Sequence, residues 1–160
     1  MSTLQPRGRG PTLAGFLLGL GLGGFLDGIL LHQILQWHSM LSAVDPPVSL
    51  MAMRRNMRAD GAFHAATWLC TVLGLVALWR RLRTVAPPGP GLALLADTVF
   101  GWGVFNLVEG SIDHELLGLH HVREGTQYLS YDLAFVLLGG LGLIALGLWV
   151  GSSVRVRAGT

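Results

Sequence analysis

Four stretches of this chain are apolar for long enough to cross a lipid bilayer, and no other property restricts the fold as much. They cover about residues 12–40, 58–80, 92–119 and 126–151. A hydrocarbon core about 30 Å thick is spanned by roughly 20 helical residues. In lipid the backbone must satisfy its own polar groups, which leaves helices, closed barrels aside. The expected fold is therefore all-α, an integral membrane four-helix bundle in a single domain over residues 1–160. The first segment is too long for a cleaved signal peptide and lacks a small-x-small cleavage site after a short apolar core, so it reads as a retained helix. The breaks fall at Asp45–Pro47, "DPP", and at Ala86–Gly91, "APPGPG". No internal repeat is expected.

Composition agrees. Only 12% of residues are charged, about half the usual fraction of a soluble domain. The eleven basic residues are all Arg, and the net charge of +2 gives no reason to expect nucleic acid. Cys70 stands alone, which excludes an internal disulfide and a cysteine-based zinc site. Gly15, Gly19 and Gly23 recur at every fourth position. Such a small-residue face lets helices approach closely, inside the bundle or across a homodimer seam.

The arginines set the expected topology. Arg7 and Arg9 precede the first span, Arg80, Arg81 and Arg83 follow the second, and Arg155 and Arg157 follow the fourth. Arg54, Arg55, Arg58 and Arg123 lie on the other side. The excess of positive charge places both termini in the cytoplasm. All six His then lie toward the outer half.

Polar residues interrupt the apolar runs at a common depth. With a rise of about 1.5 Å per residue from the cytoplasmic ends, Asp27, His64 and Glu109 lie about 23–26 Å up, and His32, Asp60, Asp113 and Asp132 about 28–32 Å. Asp60 and His64 share a helix face, as do Asn106, Glu109 and Asp113. On an α-helix Asp27 lies about 140° around the axis from His32, so it is expected to support rather than ligate. Ionisable groups in a membrane face the bundle interior and pair with one another or mark a functional site. Carboxylates brought together repel unless protons or a cation intervene.

Imidazole with carboxylate suits a transition metal. The expected ligands are His32, His64, Glu109, Asp113 and Asp60, with Asp27, Gln36, Asn106 and Asp132 orienting them. The outer loop also carries Met51, Met53 and Met57, soft thioethers that select Cu(I). They read either as outer copper ligands or as the apolar face of an interfacial helix. Copper is accordingly the first candidate, with zinc or iron next. The Glu-x-x-His signature of di-iron bundles is absent, since Ile112 stands three residues after Glu109. His38, beside Trp37, reads as interfacial, His120 and His121 as solvated, and His114 as lying on a different face from Asp113. Asp97 is expected to complement a helix dipole or pair with an Arg.

The string Asp27-Gly28-x3-His32-Gln33-x2-Gln36-Trp37-His38 resembles the signature of a bacterial family of small four-helix integral membrane proteins of unknown function. The stretch Phe105 to Arg123, "FNLVEGSIDHELLGLHHVR", is similar to its second motif. The resemblance covers nearly the whole chain. It implies a multi-pass protein of the bacterial inner membrane with no assigned reaction, loosely associated with the copper-assembly factors of cytochrome oxidase. A partner within the membrane or outside the cytoplasm fits that association.

The leading expectation is a metal-binding membrane protein active in metal handling or oxidase assembly. One alternative is a proton or small-solute pathway. Against it, the cytoplasmic half offers only Asp97, and the polar layer looks like a pocket open outward. Another is a metal-dependent membrane enzyme with Glu109 as general base. A third is haem held between His32 and His64.

Overall fold

The computed structural model describes residues 11–84 and 91–157. Arg7, Arg9 and all of the Ala86–Gly91 break except Gly91 lie outside those residues. Four helices are long and apolar enough to cross a membrane: α1 (Leu13–Ile34), α2 (Leu50–Thr84), α3 (Gly91–Leu116) and α4 (Tyr128–Val156). No strand occurs among the described residues. The expected bundle is therefore present. Its distribution of polarity is that of a membrane protein. Leu13, Ile34, Leu138 and Trp149 are exposed, whereas the buried residues are mostly polar, including Asp27, His32, Asp60, Asn106, Glu109 and Asp132. Only lipid can cover such an apolar surface.

The ends of the helices depart from the expected positions. α2 begins at Leu50 rather than near residue 58, because the Ser49 hydroxyl caps it, accepting from the Ala52 N–H at 3.1 Å. Ala52, Asn56 and Asp60 then form one buried stripe. α1 ends at Ile34 and α3 at Leu116, short of Met40 and Leu119. Both stop where Gln36 (φ 50°) and Gly118 (φ 58°) take left-handed backbone, which ends a helix.

α1 and α3 run parallel through the centre, with α2 packed on α1 and α4 on α3. Glycine makes the seams close. A side chain on Gly19 would strike the Thr98 carbonyl oxygen, and one on Gly101 the Phe16 carbonyl oxygen. Gly15 abuts Asp97 and Gly23 abuts Trp102. The Gly15–Gly19–Gly23 face is thus consumed inside the chain, between α1 and α3, and gives no argument for a homodimer seam. At the end of the bundle away from the histidines Asp97 accepts from the Thr12 N–H and hydroxyl at 2.9 Å and from Arg155 Nη1 at 2.8 Å. That cluster ties α1, α3 and α4 together, in line with the expected Arg pairing.

The structure reveals an internal repeat where none was expected. Asp27, Gly28, His32 and His38 align without a gap on Glu109, Gly110, His114 and His120, with Gln36 on Gly118. The contacts repeat too. Gly28 meets Phe63 and His64, and Gly110 meets Phe135 and Val136. Phe63 stacks on His32 at 5.6 Å between centroids, and Phe135 lies 5.5 Å from His114. The halves α1–α2 and α3–α4 are related by a pseudo-two-fold axis along the bundle, the parallel-repeat arrangement of some membrane folds. Between Asp132 and Gly140 the chain holds one residue more than between Asp60 and Thr67, their counterparts. The wide turns of the π-helix Phe135–Gly142 absorb it.

Candidate metal centre

Each of the two central helices changes geometry at its outer end. Asp27–Ile34 and Gly110–Leu116 are π-helical. A π-helix bonds i to i+5 rather than i to i+4, and it is rare and frequently found at functional sites. The wider turn places a residue above the one five positions before it. Asp27 Oδ2 therefore stands 3.1 Å from His32 Nε2, and Glu109 Oε1 stands 3.0 Å from His114 Nε2. The expectation that Asp27 points away from His32 fails for this reason, since it assumed an α-helical turn. Asp27 faces His32, although it is in neither converging group of donors.

The far side of each imidazole is held from the neighbouring helix. Asp60 Oδ1 lies 3.1 Å from His32 Nδ1 and accepts the Met40 N–H at 2.8 Å. Asp132 Oδ1 lies 3.4 Å from His114 Nδ1 and accepts the Val122 N–H at 2.8 Å. Its other oxygen meets His121 Nδ1 at 2.7 Å. Both aspartates orient a histidine and pin the outer loop of their own half. Asp60, expected as a ligand, is thus engaged with His32 and Met40 and lies in neither converging group of donors.

Two histidines read as interfacial or solvated prove to be buried. His38 is 4% exposed and His120 is fully buried. The loops after α1 and α3 carry them inward and interlock above them. Ser42 Oγ donates to Glu124 Oε1 at 2.8 Å, the Ala43 N–H to the Leu119 carbonyl at 3.0 Å and the Glu124 N–H to the Trp37 carbonyl at 3.3 Å. The polar layer is accordingly closed on its outer side, and it is not the outward-open pocket expected from hydropathy. His38 and His120 stack at 4.5 Å between centroids, with His32 and His114 edge-on at 4.3 and 4.9 Å. Burial and the nearby His32 hold His38 down to about 4, and burial with the nearby His38 likewise lowers His120. Both are neutral imidazoles at neutral pH.

The donor atoms converge. His32, His38 and His120 offer nitrogens within 4.8 Å of one another, and so do Glu109, His114 and His120 with a carboxylate oxygen. His38 Nδ1–H donates to the Val122 carbonyl at 2.8 Å, so its lone pair is on Nε2. That Nε2 has no partner, nor do Glu109 Oε2 and His120 Nδ1. His32 Nε2 and both His114 nitrogens lie close to carboxylates yet off the hydrogen-bond direction, so proximity there does not amount to satisfaction. Buried polar atoms left this way call for an explanation, and an ion is one.

Other expected ligands stand apart. His64 is half-buried and donates from Nδ1 to the Asp60 carbonyl of its own helix at 2.7 Å, so it belongs to neither group. Asp113 is half-buried and also belongs to neither. Gln36 is exposed and terminates a helix instead of orienting an imidazole. Asn106 donates to the Gly139 carbonyl at 2.9 Å, which clamps α3 to α4. Met51, Met53 and Met57 are exposed on α2, flanking the buried Ala52 and Asn56. His38, His114 and His120 are what sequence reasoning missed. Their signal was the repeated spacing of carboxylate-Gly-x3-His-x5-His.

No curated protein and no solved structure matches the chain. The family model described as "Predicted membrane protein (DUF2243)" matches residues 14–153, which include all the residues of the centre, and the chain belongs to that family.

Proposed function

We propose that this membrane protein binds a transition-metal ion in the outer half of its bundle, through His32, His38, His114, His120, Glu109 and Asp27. The observation that supports this best is the set of unpartnered buried nitrogens and carboxylate oxygens pointing into one small volume. The groups behind them fit the same reading. A metal-binding histidine commonly gives its other nitrogen to a carboxylate or a carbonyl, and here Asp60, Asp132 and the Val122 carbonyl stand in those places.

The donors are imidazole and carboxylate, a set that suits copper(II), zinc or iron. With the methionines outside the centre, the thioether argument for copper(I) loses its support. A haem between His32 and His64 is disfavoured, because Phe63 stacks on His32 and Gly28 lies against His64. The closed cover of loops favours holding a metal, for storage, delivery or oxidase assembly, over turnover of a substrate. It also disfavours a solute pathway. On the Arg distribution the centre faces the outer side of a bacterial inner membrane, where metal handling outside the cytoplasm would use it.

The test is elemental analysis of protein purified in mild detergent after loading with copper, zinc or iron. Near-stoichiometric metal is expected. His32→Ala, His114→Ala and His120→Ala each bind clearly less metal than the wild-type protein, since removing one of a few protein ligands weakens a site. His64→Ala retains it. Folded protein that holds none of the three metals under any loading condition overturns the reading.

A further inference from the structure

We infer that the centre takes two metal ions, one for each half of the internal repeat, an inference that rests on the metal-binding reading above. Each half supplies one carboxylate and two imidazoles in the same order along the chain. The donors that converge are His32, His38 and His120 at the first position, with Asp27 beside His32, and Glu109, His114 and His120 at the second. Three protein donors with an open position make a familiar set for zinc and its neighbours.

The geometry keeps the positions distinct but adjacent. Carboxylate and imidazole sit side by side within each half, at 3.1 Å for Asp27–His32 and 3.0 Å for Glu109–His114. The two outer histidines meet face to face on the pseudo-axis, His38 over His120. His120 belongs to both converging groups. One of its nitrogens faces Glu109 Oε1 at 3.0 Å, and the other is buried and unpartnered. It is therefore placed to join the two positions.

Charge argues for the same number. Four carboxylates, Asp27, Asp60, Glu109 and Asp132, are buried at this level. Among the described residues none of their hydrogen bonds or ion pairs is to an arginine. Arg55 is held by Asp45 and Arg155 by Asp97. Uncompensated carboxylates in a low dielectric are strongly disfavoured. Protons on His32 and His114 can offset part of this set in the metal-free protein, and two divalent ions offset all of it.

The experiment counts zinc. Full-length protein in detergent, stripped with chelator and dialysed against Zn(II), is expected to hold about two ions per chain, falling to about one in Glu109→Gln/His114→Ala and in Asp27→Asn/His32→Ala. Folding of the variants is checked by helical circular dichroism and gel filtration. No zinc, copper or iron in folded wild-type protein overturns the metal reading altogether. About one zinc at saturation overturns only the two-ion inference. Two ions that persist in both double variants place the second outside the centre, with the same consequence. If a double variant does not fold, Cu(II) titration of the wild-type protein decides. The paramagnetic signal of the first equivalent is expected to broaden or weaken as the second enters. Two independent signals that simply add overturn the inference.

Discussion

Asp27 Oδ2 and His32 Nε2 lie 3.1 Å apart although five residues separate them on one helix. In an α-helix that spacing points two side chains in different directions. The π-helical turn from Asp27 to Ile34 brings them to one face, and the turn from Gly110 to Leu116 does the same for Glu109 and His114. The centre therefore depends on a local change of helical pitch made twice, once in each half.

The aspartates behind the histidines can be tested by stability. Asp132→Ala leaves the Val122 N–H and His121 without their partner in a buried place, at a cost of about 1–3 kcal/mol. Arg54→Ala, at an exposed position, is expected to change stability by less than about 0.5 kcal/mol. Thermal unfolding of metal-free protein in detergent measures both. Equal effects would remove Asp132 from the interior.

Glycine packing gives a matched pair of variants. A side chain on Gly103 would approach the Ile144 backbone nitrogen to 2.6 Å, whereas Gly61 has open space. Gly103→Ala is expected to cost about 1–3 kcal/mol by forcing α3 and α4 apart. Gly61→Ala is expected to be neutral or stabilising by up to about 1 kcal/mol, since it removes a helix-weakening glycine. Comparing the two melting temperatures checks the seam directly.

The outer histidines set a pH dependence. The folded value of His38 lies near 4, below the ordinary value of 6.5, and that of His120 is also lowered. Between the two values the unfolded chain binds more protons than the folded one, so stability rises with pH there. The contribution of these two histidines in metal-free protein is thus expected to be complete above about pH 6.5 and to be lost progressively toward pH 4. His38→Gln should flatten part of the slope. An unchanged slope in that variant would place His38 in water.

Replacing Met51, Met53 and Met57 together with Leu keeps an exposed apolar surface on α2. Metal content is expected to stay the same within error, for copper as for zinc. A selective loss of copper would restore these thioethers as ligands.

The orientation proposed from the arginine distribution is open to a direct check. A reporter active only in the cytoplasm should work when fused after Thr160 or within the Ala86–Gly91 break, and fail within Asp45–Met53. The opposite pattern would turn the centre toward the cytoplasm.

Much of this was legible in the chain. The four spans follow from apolar length, and the presence of Asp27, His32, Glu109 and Asp132 in hydrophobic surroundings already implied an inward-facing polar layer. Depth counting at a constant rise placed those residues at nearly one level. It failed for His38 and His120, which lie beyond the helix ends on loops that fold back. It failed for His64 and Asp113, because a shared depth does not specify the direction in which a side chain leaves its helix. The repeat escaped notice because the segment joining α1 to α2 is longer than the one joining α3 to α4, and because most residues between the motif positions differ.

The sequence by itself determined that this is a four-span membrane protein with a polar layer toward one side. Hydrocarbon length and the cost of unpaired charge depend only on which residues follow one another. Which donors converge was decided by the tertiary structure alone. The π-helical turns bring together residues five apart, and the interlocked loops bury His38 against His120. The loops interlock between halves of the chain distant in sequence, through Ser42 with Glu124 and Ala43 with Leu119, and spacing within one segment does not reveal that contact.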